Sequence, residues 1–185
     1  MRLIGVGIHG KHMTTATKAV FDLVTRKAVK EEQRLNIEHE LLEEVLTVSG
    51  DSSWAKRGFS SLVGIVSLIR KYSGKVIDTV VRSSSCKACY QWKNEKYTFD
   101  YECWYVIHKD ECPANHEGSA CKMEVDGVVK MFMRSIKKFD VRCGYYIGDG
   151  DSKTFKMLLD PSPYGDSFKV KKLECVLNVK KRLYK

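Results

Sequence analysis

The chain has 185 residues and a mass of 21.2 kDa, with 32 Lys and Arg against 23 Asp and Glu, a formal charge of +9. Its 43% hydrophobic and 30% charged residues are the composition of a folded domain, neither disordered nor fibrous. The longest apolar stretch, around Leu62 to Ile69, is far shorter than the roughly 20 residues of a membrane-spanning helix, and MRLIGVGIHGKH lacks the apolar core and cleavage site of a secretory signal. Membrane and secreted scaffolds are therefore excluded, an intracellular chain is expected, and the cationic excess favours a polyanion as partner.

Along the chain, residues 14–35 place Ala19, Val20, Leu23, Val24 and Ala28 at helical spacing, which predicts an amphipathic helix with a solvated Lys, Arg and Glu face. Val45, Leu46 and Val48 around β-branched Thr47 predict a strand over 44–49. Two further β-rich runs, 59–69 and 75–82, are joined by KYSG, whose Gly74 can take a positive φ, and they predict a hairpin.

Between Ser83 and Cys121 the composition changes: five of the seven cysteines and several aromatics fall here, without a clear period. Such a length is unusual for a structureless connection, so something other than an apolar core is expected to hold it. Cys86-x-x-Cys89 supplies half of a tetrahedral zinc site. The other half is His108-x-x-x-Cys112 or Cys112-x-x-x-His116, and ligand spacing allows both. Four protein ligands leave no position for water, so the zinc would be structural and would explain how an aperiodic segment folds. The ordinary alternative is a set of free buried thiols, and Cys103 and Cys121 are expected to be buried small hydrophobes. The odd cysteine count in a reducing compartment argues against disulfides.

Residues 123–139 put Val125, Val128, Val129, Phe132, Ile136 and Phe139 on one helical face. A strand follows at about 141–147, then a helix from Ser152 to Leu159 with Ser152 as N-cap and Pro161 as stop, and a last strand reaching about Val176. Three strands at hairpin spacing followed by strands alternating with helices imply an α/β fold, a mixed sheet with flanking helices.

Asp51, in SGDSSW, is expected just past the first strand, and Asp149 and Asp151, in YIGDGDS, just past the fourth. Strand ends of an open sheet are where ligands bind, and carboxylates gathered there select Mg²⁺ or Mn²⁺, as a two-metal phosphoryl-transfer site requires. Ordinary turn formers are the alternative. Trp54, Lys56 and Arg57 are candidates for contact with a phosphate backbone and a splayed base. Lys169, Lys171, Lys172, Lys180, Lys181, Arg182 and Lys185 form a basic end suited to sequence-independent phosphate binding or to a nuclear localisation signal.

The ordered blocks SGDSSWAKRGFSS, the Cys-containing insertion ending NHEGSA, MEVDGVVKMFMRSI, YIGDGDSKTF and KLECV resemble the Mutator-like transposase domain of eukaryotic DNA transposons. The resemblance implies a ribonuclease H-like fold, a DDE-type acidic triad binding two divalent cations, DNA as partner and the nucleus as location. By position, Asp51 matches the first acid and Asp149 the second, in preference to Asp151. The third, a Glu on a late helix, has no matching position, and Glu174 is a poor stand-in; Asn178 stands where the family's Cys-x-x-His would continue from Cys175. A truncated, inactive copy is therefore expected. The family's His-x-x-x-Cys pair favours His108 over His116 as fourth zinc ligand. The expected organisation is a helical segment over 1–40 and a partial ribonuclease H-like core over 41–185, with a zinc insertion at 83–121 after the third strand. Self-association is a further expectation, and a non-catalytic zinc-containing nucleic-acid or protein-binding module is the alternative function.

Overall fold

The computed structural model describes residues 4–55, 61–148 and 152–175, with side chains from Thr15 in the first helix and from Lys153 in the last. In chain order the elements are α1 (Ile4–Glu38), β1 (Val45–Trp54), β2 (Val63–Arg70), β3 (Val76–Ser83), α2 (Lys87–Gln91), α3 (Phe99–His108), α4 (Ala120–Phe139), β4 (Arg142–Gly148), α5 (Ser152–Leu159) and β5 (Lys171–Glu174). The five strands form one sheet in the order β3-β2-β1-β4-β5. β1, β2 and β3 are antiparallel neighbours, while β4 lies parallel to β1 and β5 parallel to β4. The expected mixed α/β sheet is present, and Gly74 takes φ +65° in the hairpin turn.

β1 runs five residues past its expected end. GDSSW has little apolar character, but β2 pairs with it as far as Trp54 opposite Gly64, so the ladder of hydrogen bonds overrides local propensity. Trp54 packs over Gly64, where a Cβ would lie 2.3 Å from the indole. The core lies between the sheet and α4: Val128, Met131 and Phe132 pack on Leu46, Val48, Val66, Leu68, Cys143 and Tyr146. Gly127 lets α4 approach closely, since a Cβ there would sit 2.7 Å from Val66 Cγ2. The buried face of α4 is rotated from the expected one: Met123, Met131 and Ser135 are inside, and Ile136 is exposed. Ser152 is the first residue of α5 rather than its cap, and β5 is only four residues long.

α1 also differs from expectation. Val20, Leu23 and Val24 face solvent, while Thr25, Ala28, Val29, Glu32 and Asn36 are buried. Most of the buried polar groups on that face have partners, which makes it tolerable, although Asn36 Oδ1 is buried without one among the described residues. Asn36 Nδ2 donates to the carbonyls of Leu42 and Val45 at 3.2 and 2.9 Å. Glu32 accepts from the backbone amides of Tyr72 and Ser73, both at 3.0 Å, and lies 3.9 Å from the equally buried Arg70 guanidinium. Burial pulls the Arg70 pKa below its ordinary value, against the opposing pull of Glu32. Asp78 of β3 accepts two hydrogen bonds from Arg134, and Lys138 bridges Asp78 at 3.0 Å to Asp22 of α1 at 3.1 Å.

Candidate functional site

The segment after β3 folds around side chains rather than a core. α2 and α3 contain no buried residue. Cys86 caps α2, its Sγ accepting from the Cys89 amide at 3.5 Å, and His108 ends α3, four residues before Cys112. His108 Nε2 lies 3.3 Å from both Cys86 Sγ and Cys89 Sγ, and the Cys89 and Cys112 sulfurs are 3.6 Å apart. The ligand atoms of these four residues all lie within 4.8 Å of one another. Tetrahedral zinc with Zn–S of about 2.3 Å needs sulfurs about 3.8 Å apart, so donor type, number and spacing fit a structural zinc.

Electrostatics give the same picture. The Cys89 amide draws the Cys86 thiol down to about 7, whereas burial and the neighbouring sulfurs push Cys89 up to about 12. Three thiolates together are unfavourable unless a cation compensates them. Rings support the ligands: Trp104 stacks on His108 at 4.5 Å, and Trp92 on Trp104 at 5.2 Å. His116 is not in the cluster. Its Nδ1 is 3.3 Å from Asp126 Oδ2 and its Nε2 3.3 Å from the Ser119 carbonyl, so it latches the end of the insertion to α4. The amides of Asn115 and His116 both donate to the Ser83 carbonyl, tying the segment back to β3. Cys103 and Cys121, expected to be buried, are exposed, whereas Cys143 is buried.

The second region is a crevice at one end of the sheet. β1 stays paired with β4 only to Ser49 opposite Ile147, yet continues along β2 to Trp54. Where the parallel strands part, a cavity of about 570 Å³ opens, lined among others by Asp51, Ser52, Glu124, Gly148, Thr154 and Cys175. Such a switch point is where open sheets bind ligands. Asp51 is exposed and lies within β1, opposite Ser67, rather than just past the strand as expected. Ser52, one residue on, turns to the opposite face, where its hydroxyl donates to Glu124 Oε2 at 2.7 Å. The sequence reading missed Glu124, because nothing distinguishes it from the other polar positions of α4 until the helix is laid across the strand end.

Asp149 and Asp151 lie outside the described residues, as do Lys56, Arg57, Lys180, Lys181, Arg182, Lys185 and Asn178; Gly148, directly before Asp149, lines the crevice. Trp54 is half-buried against Gly64. Lys171 is exposed at the start of β5, and Lys172 is paired to Glu174 at 3.2 Å. Among the described residues no helix is long and apolar enough to cross a membrane.

The sequence model of the Mutator-like transposase family matches residues 8–185. Comparison with curated proteins and with solved structures gave no match.

Proposed function

The chain belongs to the Mutator-like transposase family, and from that premise we propose that it carries catalytic-domain elements of a DDE-type transposase, whose reaction is metal-dependent cleavage and transfer of DNA strands in the nucleus. The observation that carries this reading is the crevice where β1 parts from β4, with Asp51 in its lining and Gly148 leading to Asp149. A mixed sheet that starts as an antiparallel meander and adds two parallel strands beyond β1 supports the ribonuclease H-like fold.

The lining suits a hard cation. It is rich in oxygen donors, which match Mg²⁺ or Mn²⁺: the Asp51 carboxylate on one face of β1, and Glu124 with Ser52 on the other. In this reading Asp51 and Asp149 hold the metal, and Asp151 is a further candidate acid. When bound, such cations supply charge stabilisation for the attacking and leaving oxygens of an in-line displacement. The chain's own contribution is positioning: Asp51 is carried by a strand rather than a loop, and the Ser52 hydroxyl orients the Glu124 carboxylate. Trp54, Lys56, Arg57, Lys171, Lys172, Lys180, Lys181 and Arg182 provide the DNA-binding surface, and binding through the cations should weaken steeply with salt. Zinc on Cys86, Cys89, His108 and Cys112 is structural and takes no part in the chemistry.

A non-catalytic binding module is the second reading, favoured by one observation: Tyr97, Phe99 and Ile107 of the insertion are largely exposed. Metal binding is the sharper readout of these acids. Mn²⁺ binding followed by electron paramagnetic resonance should be lost in Asp51→Ala and in Asp149→Ala, and any Mn²⁺-dependent nicking of supercoiled plasmid should vanish with it. Metal binding and nicking that survive both substitutions would overturn the assignment of these acids. Salt-dependent DNA binding without specific metal binding would favour the second reading.

A further inference from the structure

Among the described residues, two helices carry exposed apolar stripes on the side away from the elements they pack on. α3 turns Trp104 and His108 toward the stacked rings and the metal ligands. Its opposite side presents Phe99, Cys103, Val106 and Ile107, all exposed and at helical spacing, with Phe99 and Ile107 each 80% accessible. The flanks of this stripe are acidic: Asp100, Glu102 and Asp110 are exposed beside it. Over 83–121 the chain holds four lysines against six carboxylates, net −2, in a protein of +9, so a phosphate backbone is a poor partner for this surface.

α1 is its counterpart in charge. With Thr25, Ala28, Glu32 and Asn36 buried, its outer side presents Val20, Leu23 and Val24, and Leu23 is 70% accessible. Here the flanks are basic, with Lys27, Lys30 and Arg34 exposed along the same side. Contiguous exposed apolar surface of this kind marks a partner site.

We propose that these two faces cover each other between two copies of this chain: α1 of one copy docks on α3 of the other, and the reverse contact closes a two-fold dimer. Three points support a second copy as the occupant. The faces are of similar length, since α3 has ten residues and the apolar and basic positions of α1 from Val20 to Lys30 together span a comparable stretch of helix, about 15 Å. The charges are opposite, whereas α1 on α1 or α3 on α3 would oppose like charges. Finally, one contact between two short helix faces is small for a stable complex, but a two-fold arrangement makes it twice and approaches the roughly 1,200–2,000 Å² of standard interfaces. The inference is independent of the transposase chemistry.

Sedimentation of the zinc-loaded chain in reductant tests it. The wild-type chain should dimerise at micromolar concentration. Leu23→Glu and Ile107→Glu, both at exposed positions, should each weaken the dimer by about thirty-fold or more, with zinc content and circular dichroism unchanged. A wild-type chain that stays monomeric at tens of micromolar would overturn the proposal. So would a dimer sensitive to only one of the two substitutions.

Discussion

In the cysteine-rich insertion, four candidate metal ligands from Cys86 to Cys112 converge within 4.8 Å, whereas the crevice gathers its lining from segments as distant as Ser49 and Cys175. The first is assembled by short-range chain geometry and a set of sulfur and nitrogen donors. The second exists because β1 keeps company with β2 after leaving β4, a property of strand order rather than of any local stretch. The two regions should therefore fail independently, one through its metal and the other through its core.

The largest expected effect separates them outright. Removing zinc with a chelator, or replacing Cys112 with Ser, should unfold the insertion, since α2 and α3 bury nothing of their own. Structural zinc in small peptides is worth roughly 10–16 kcal/mol. Hydrogen exchange should show protection lost across α2 and α3 and kept in β1, β2 and β3; loss in both would mean that the regions are not separable.

The converse is a core substitution. Phe132→Ala, beneath the sheet and edge-on to Tyr146, should cost about 3–5 kcal/mol in urea unfolding while the folded protein keeps its full zinc content. A smaller loss accompanied by zinc release would place the insertion inside the same cooperative unit.

The smallest effect is a labelling contrast. Cys143 on β4 is fully buried, and burial pushes its thiol up to about 12, so it stays protonated and unreactive as the pH rises from 7 to 9. Iodoacetamide in that range should label exposed Cys121 and spare Cys143, as read by mass spectrometry. Modification of Cys143 at a comparable rate would show that the β4 side of the core opens far more readily than its packing implies.

The insertion was legible in the sequence because metal ligation is encoded in spacing. Cys-x-x-Cys and His-x-x-x-Cys bring donors together within a turn or two of chain whatever surrounds them, and the structure gathers His108 while assigning His116 to Asp126. The strands were legible because β-branched runs punctuated by Gly have few alternatives. The exposed sides of the helices were not. α1 turns Glu32 and Asn36 inward because the hairpin turn and the start of β1 offer them partners, while Thr25 donates back to the Phe21 carbonyl of its own helix, and apolar periodicity cannot report hydrogen bonds to groups outside the helix.

Asp51 marks the boundary between the two kinds of information. Residue type and neighbouring small residues were enough to single it out as a candidate, and the strand before it could be read from Val45, Leu46 and Val48. That the strand continues through it, that it faces away from α4 while Ser52 reaches Glu124, and that a cavity opens beside it all depend on pairing with β2 and divergence from β4. Local chemistry is carried by the order of residues along the chain. The meeting of Asp51, Glu124 and Cys175 around one crevice is a consequence of packing, in which each contact is stabilised by burial and pairing elsewhere in the fold.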